Sequence, residues 1–133
     1  IGAARVIDSV ATPLWGQAAF EATIGGAHKV VNTIGLGALG QSLAAAGPGG
    51  EIAMVRFRPG AAEPLDPALL NGKATVIRGI SVGSAAMYRD LAMVVDRHAI
   101  RPVIGATFGF DCVRDAYVAQ ASDLFGKVVI EFA

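Results

Sequence analysis

The sequence has little of the material that crosslinks a protein, charges it strongly or anchors it in a membrane. A single cysteine, Cys112, excludes an internal disulfide and a multi-cysteine zinc site. Eleven basic and eleven acidic residues give a formal net charge of zero, which argues against a nucleic-acid partner. The longest apolar stretches, roughly five to seven residues, are too short to span a membrane. We therefore expect a cytoplasmic protein that has neither nucleic acid nor membrane as a partner.

What the chain does have is apolar content and a regular alternation of elements. Hydrophobic residues make up 53% of the 133 residues, enough to build one folded core. Strand-like and helix-like segments alternate about every 25 residues, which is typical of right-handed βαβ units and predicts an α/β fold with a mainly parallel sheet. Predicted strands cover residues 5–8, 29–34, 51–57, 74–83 and 127–132, and predicted helices cover residues 13–23, 39–46, 67–71, 85–98 and 112–121.

Four polar residues stand where helices are predicted to begin: Thr12, Asp66, Ser84 and Asp111. A side-chain oxygen at such a position can accept a hydrogen bond from a backbone N–H of the first helical turn. The sequence "GPGG" at residues 47–50 is predicted to end the second helix before the next strand begins.

A glycine motif follows the second predicted strand. Gly35, Gly37 and Gly40 have the G-x-G-x-x-G spacing that lets a backbone approach a pyrophosphate at a helix N-terminus. Arg56 and Arg58 stand about 20 residues further on, where a basic side chain suits a 2′-phosphate. These residues alone predict a small NADP site. However, the chain has 17 glycines, so the spacing also arises easily by chance.

Longer stretches of the chain resemble the medium-chain dehydrogenase/reductase family, which includes zinc-type alcohol dehydrogenases and zinc-free quinone oxidoreductases. "IGAARVIDS", "VVNTIG", "QSLAAAGPGGEIAMV", "GISVGS" and "AYVAQASDLFGKVVIEF" match family stretches in the same order over nearly all 133 residues. The resemblance implies that residues 1–133 are the C-terminal part of a coenzyme-binding domain. That part is a partial Rossmann-type, doubly wound sheet that lacks its first two strands. The family's phosphate fingerprint lies upstream, so the spacing of Gly35, Gly37 and Gly40 is interpreted as mostly coincidental.

The resemblance also implies which residues would contact NAD(P). Residues after the family's fourth and fifth strands line the nicotinamide–ribose pocket, and the backbone of the next strand bonds the carboxamide. A basic residue near the end of the chain contacts the pyrophosphate in some relatives. In this sequence these positions are Thr33, Ile34 and Gly35; Val55, Arg56 and Phe57; Ile80, Ser81 and Val82; and Lys127. Asn32 replaces the acid that is common on the family's fourth strand, and Arg56 replaces a common glycine. No catalytic residue or metal ligand is expected in this segment.

The implied reaction is hydride transfer between NAD(P)H and a carbonyl, alcohol, enone or quinone. The implied partners are an N-terminal catalytic domain, which precedes this region in the family, and a second copy of the chain, paired through residues 80–84. We expect the isolated chain to be inactive. Two alternatives stay open: a non-catalytic Rossmann-like dimerisation module, and a minimal NADP-binding domain that uses residues 35–40.

Overall fold

The computed structural model describes residues 2–55 and 65–132. The strands are β1 (Ala27–Asn32), β2 (Ala46–Met54), β3 (Val76–Gly79), β4 (Ile104–Gly109) and β5 (Lys127–Glu131). The helices are α1 (Trp15–Ala22), α2 (Leu39–Ala45), α3 (Pro67–Gly72), α4 (Ala85–Arg97) and α5 (Val113–Gln120). Short 3-10 turns, Leu36–Ala38 and Phe110–Cys112, precede α2 and α5. The chain divides into two compact units, Ile1–Val82 and Gly83–Ala133.

The first unit contains a three-stranded sheet in the order β1-β2-β3, with both pairs parallel. Val30 pairs with Ile52, and Ile52 pairs with Ile77, so these side chains share one face of the sheet. β1 is an edge strand among the described residues. The parallel α/β architecture predicted from the alternation of elements is confirmed.

The core of the first unit lies between this face of the sheet and α2. Leu39, Leu43, Ala46 and Ile52 form a buried cluster, and Val30, Leu36, Met54, Leu69 and Leu70 pack against it. Leu43 and Ile52 are fully buried, and each such side chain contributes about 1.5–3 kcal/mol through removal from water. α3 supplies Leu69 and Leu70, and Asp66 caps it by accepting from the Ala68 N–H at 2.9 Å, as predicted.

The strand prediction for residues 5–8 was wrong, and the one for residues 74–83 was too long, since neither residues 5–8 nor residues 80–83 belong to a strand paired with one that the structure describes. Residues 5–8 form no strand; instead Asp8 Oδ1 accepts from the Val10 N–H and the Asp8 carbonyl from the Thr12 N–H. Thr12 therefore does not cap α1, whose N-cap residue, Leu14, makes no side-chain bond. The strand predicted over residues 74–83 ends at Gly79, because its partner β2 ends at Met54. Strands need a paired neighbour as well as β propensity.

The "GPGG" stretch was predicted to separate a helix from a strand, and instead it belongs to the strand. β2 begins at Ala46, and its pairing with β1 shifts register between Ala27 and Lys29. A side chain at Gly47 would collide with the Gly25 carbonyl oxygen, and Gly49 has a φ of 69°, so glycine is required at both positions. The glycines here permit close pairing through an irregular register.

The second unit pairs β4 with β5 in parallel and packs α5 against both strands. The side chain of Ser84 caps α4 by accepting from the Met87 N–H at 3.2 Å, as predicted. Asp111 was predicted to cap the last helix, and this was wrong: it lies within the 3-10 turn, and α5 has Cys112 as its N-cap residue, without a side-chain bond. In the described part of the chain, no helix has the length and apolarity required to cross a bilayer.

Candidate functional site

The carboxyl ends of β1, β2 and β3 bring together three groups of predicted coenzyme contacts. Thr33, Ile34 and Gly35 follow the end of β1, Val55 follows β2, and residues 80–82 follow β3. Because the three strands are parallel and adjacent, all of these residues lie at the same edge of one sheet. Open α/β sheets bind their ligands outside this edge. We call it the carboxyl edge.

Two backbone hydrogen bonds set the spacing of the strands at this edge. The Val55 N–H donates to the Asn32 carbonyl oxygen at 3.1 Å, and the Ile80 N–H donates to the Met54 carbonyl oxygen at 2.9 Å. Each bond joins a residue just beyond one strand to the last residue of the adjacent strand. The carboxyl edge is therefore held by the continuation of the sheet ladder.

The turn after β1 is organised by the buried side chain of Asn32, which is 4% exposed. Its Oδ1 accepts from the Ile34 N–H at 3.0 Å and from the Gly35 N–H at 2.8 Å. Its Nδ2 donates to the Gly35 carbonyl oxygen at 3.1 Å and to Ser42 Oγ at 3.2 Å. The Ser42 hydroxyl in turn donates to the Ala38 carbonyl oxygen at 2.8 Å. Every polar atom of the Asn32 side chain is thus satisfied.

Of the three motif glycines, only Gly35 has a backbone that requires glycine. Its φ is 109° and its ψ is −154°, a conformation that other residues rarely adopt. Gly37 lies in the 3-10 turn, and a Cβ added to Gly40 would meet nothing within 4 Å. In a dinucleotide fingerprint the third glycine is needed for close helix–strand packing. Gly40 has no such role.

Three amides of this turn already have hydrogen-bond acceptors. The N–H groups of Ile34 and Gly35 donate to Asn32 Oδ1, and the Ala38 N–H donates to the Gly35 carbonyl. α2 has seven residues, and its N-cap residue, Ala38, has no polar side chain. These three amides are therefore not free to hold a pyrophosphate.

Three apolar side chains at the carboxyl edge are exposed. Ile34 is 61% exposed, Val55 49% and Val82 95%, so the edge presents apolar surface to solvent. No backbone hydrogen bond joins Ser81 or Val82 to another residue that the structure describes. An apolar surface with a few free polar groups is what a planar amide-bearing ring requires.

The remaining predicted contacts cannot be placed at this edge. Arg56, Phe57 and Arg58 lie outside the described residues. Lys127 is the first residue of β5, in the second unit, where its N–H donates to the Val103 carbonyl at 2.8 Å.

Sequence reasoning missed the roles of Asn32, Ser42 and Lys73. Lys73 Nζ donates to the carbonyl oxygens of Leu43, Ala44 and Ala46 at 3.2, 2.9 and 2.8 Å, and it lies 4.6 Å from the ring centroid of Phe20. This cation satisfies carbonyls at and just beyond the C-terminal end of α2. The one available signal was Asn32, a polar residue directly after the apolar pair Val30 and Val31 at the end of β1.

The face of the sheet opposite the core carries a line of three charges. Glu51 on β2 accepts from Arg78 Nε at 2.7 Å and forms an ion pair with Lys29 Nζ at 3.5 Å. The hydrogen bond from Arg78, followed by the charge of Lys29, holds the pKa of the Glu51 carboxyl below its ordinary value. These groups are far more exposed than Asn32, so water screens their interaction.

The described residues contain no group of three or more His, Cys, Asp or Glu side chains that could hold a metal ion. Cys112 is a free, exposed thiol.

Comparisons with known proteins identify the family of the chain. Residues 1–130 match a family described as zinc-binding dehydrogenase. The chain is 37% identical to a zinc-type alcohol dehydrogenase-like protein of Schizosaccharomyces pombe, over 98% of this chain and 40% of that protein.

Solved structures of larger proteins contain a region with the same fold as this chain. A benzyl alcohol dehydrogenase from Acinetobacter calcoaceticus superposes with a TM-score of 0.81 at 24% identity, over 99% of this chain and 38% of that one. A crotonyl-CoA carboxylase/reductase in complex with NADP superposes with a TM-score of 0.72 at 20% identity, over 88% and 30%. The chain thus spans about two fifths, or less, of the length of these proteins.

Proposed function

Because the chain belongs to the zinc-binding dehydrogenase family, an oxidoreductase family, we propose that its carboxyl edge binds the nicotinamide end of NAD(P). The reaction would be hydride transfer between NAD(P)H and a carbonyl, alcohol, enone or quinone. The observation that carries this proposal is the meeting of residues 33–35, 55 and 80–82 at one edge of a parallel sheet.

The coenzyme, when bound, supplies the hydride chemistry, and the chain would supply binding and orientation. Ile34 and Val55 would offer apolar surface that keeps water away from the ring. The backbone groups of Ser81 and Val82 would pair with the carboxamide and so determine which face of the ring is presented to the substrate.

The proposal assigns no proton transfer or substrate polarisation to these residues. We propose that an N-terminal catalytic domain of the family type supplies those groups, and that the 133 residues alone do not turn over substrate. We also propose a homodimer through residues 80–84. Support for the dimer comes from the exposed residues Ile80 and Val82, which follow β3 without a described strand beside them.

Two isoleucine substitutions of the same kind test whether the carboxyl edge binds the coenzyme. Ile34→Asp places a charge on the carboxyl edge, whereas Ile24→Asp places one on a more exposed turn before β1. With reduced nicotinamide mononucleotide, whose ring is uncharged, as the probe, Ile34→Asp should weaken binding about tenfold or more, because a hydrated carboxylate would replace the apolar surface against the ring. Ile24→Asp should leave binding unchanged. Equal effects of the two variants, or no binding by the unaltered chain, would refute the proposal that the coenzyme binds at the carboxyl edge.

The same preparations decide between the proposal and its alternatives. Oxidation of NADPH by the isolated chain in the presence of an enone or quinone would refute the proposal that the 133 residues alone do not turn over substrate. A dimer that binds no nucleotide would favour the dimerisation module. Tight binding that prefers NADPH and is lost in Arg58→Ala would favour the minimal NADP site.

A further inference from the structure

Asn32 touches more of the carboxyl edge than any of the predicted contacts does. Its main-chain carbonyl accepts from Val55, and its side chain bonds both N–H groups of the Ile34–Gly35 pair and the Gly35 carbonyl. Two of the three groups at the edge therefore meet at this residue. Through Ser42 and the Ala38 carbonyl, the same network reaches the start of α2.

The pattern of donors and acceptors requires an amide here. Oδ1 faces two N–H donors, and Nδ2 faces two acceptors, so neither end of the side chain can be exchanged for the other. An ionised carboxylate would keep the two acceptor bonds. Its second oxygen would then face the Gly35 carbonyl oxygen, which lies 3.1 Å from Nδ2. Alanine would leave the N–H groups of Ile34 and Gly35 without their acceptor, which is costly, and the Gly35 carbonyl would keep only its bond from the Ala38 N–H.

We propose that Asn32 is a positioning residue for the coenzyme: its side-chain amide fixes the turn at residues 33–35 so that Ile34 faces the ligand. The inference rests on the proposed function, because Asn32 positions the turn for a ligand only if the carboxyl edge binds the coenzyme. The Thr33 and Ile34 side chains remain exposed while the backbone beside them is pinned by buried bonds. A coenzyme would thus meet a preorganised surface and would not have to order a loose turn.

The direct test is backbone amide exchange at Ile34 and Gly35, measured on the whole chain by NMR. Asn32→Ala should speed exchange at these two amides about tenfold more than at amides of the β2–β3 ladder. Ser42→Ala should give a smaller effect in the same place, with Ser9→Ala as the exposed control. A uniform rise across the unit would show a merely structural role and overturn the proposal.

The requirement for an amide is tested by a pH profile. Asn32→Asp should bind nicotinamide mononucleotide more weakly as pH rises through the pKa of the new carboxyl, since only the protonated form retains a donor. All hydrogen-bond partners of Asn32 are uncharged, so the new carboxyl is the one ionising group in this network. The phosphate of the probe also titrates, with a second pKa of about 6, so each profile is compared with that of the unaltered chain. Asn71→Asp, the same change on exposed α3, should follow the unaltered chain.

An Asn32→Asp chain that binds like the unaltered one at every pH would overturn the amide requirement. If the unaltered chain binds no mononucleotide, the proposal that the coenzyme binds at the carboxyl edge is refuted. The exchange of the Ile34 and Gly35 amides then still decides whether Asn32 holds the turn.

Discussion

The two units use the same alternation of strand and helix, yet they differ in what they bury. The first unit covers one face of its sheet with α2 and encloses Leu43 and Ile52 completely. In the described part of the second unit, Ala116 is the one buried residue, and Tyr117, Val118 and Phe125 are each about two thirds exposed or more. An α/β pattern predicts the order of elements, whereas a core forms only where large side chains meet between layers. We expect the first unit to be the more resistant to local opening.

The largest effect should come from emptying the core of the first unit. Leu43→Ala removes a fully buried side chain and should lower the free energy of unfolding by about 3 kcal/mol. Leu124→Ala, in the second unit, removes a side chain that is 38% exposed and should cost about 1 kcal/mol. Urea unfolding followed by far-UV circular dichroism reports both units, and the fluorescence of Trp15, the single tryptophan, reports the first unit, where it lies in α1. Equal losses of unfolding free energy in the two variants would contradict the difference between the units.

A glycine pair sharpens the comparison within the first unit. Gly16 on α1 donates its N–H to Gln41 Oε1 at 2.8 Å, and a Cβ there would collide with the Gln41 carbonyl oxygen of α2. Gly16→Ala should therefore destabilise the unit by about 2 kcal/mol through overpacking.

Gly40→Ala is the matched control, because its Cβ would enter open space within a helix. It should stabilise the chain by about 0.5–1 kcal/mol. A loss of stability in Gly40→Ala would mean that the third motif glycine is needed for packing, as a true fingerprint requires.

The smallest effect should be the pH dependence that comes from the charges on the open sheet face. Because the folded pKa of Glu51 is lowered, its contribution is present above the ordinary carboxyl pKa of about 4.3 and is lost as pH falls through the lowered value. Glu51→Gln should flatten this part of the stability–pH curve. Glu131, on β5 of the second unit, forms no ion pair with a described residue, so Glu131→Gln should change the stability–pH curve less. Identical curves for the two variants would contradict a role for the ion pairs.

The sequence was sufficient for features that depend on local chemistry. Asp66 and Ser84 cap their helices as predicted, because an N-cap needs only its own first turn. The carboxyl edge was also predictable, because it follows from the ends of parallel strands. Features that depend on a distant part of the chain were not predictable. Whether residues 5–8 and 80–83 form strands depends on which strands lie beside them. The roles of Asn32 and Lys73 depend on which backbone groups the fold brings within hydrogen-bond distance of their side chains.

The central claim, that the carboxyl edge of β1–β3 is where the nicotinamide end of a coenzyme binds, is tested most directly by mapping nicotinamide mononucleotide onto the isotope-labelled chain by NMR. The account predicts amide shifts confined to residues 33–35, Val55 and residues 80–82, at probe concentrations of about 1–10 mM, which correspond to binding of about −3 to −4 kcal/mol. Shifts centred on Gly37 and Gly40, or none at any backbone amide of the edge, would contradict it.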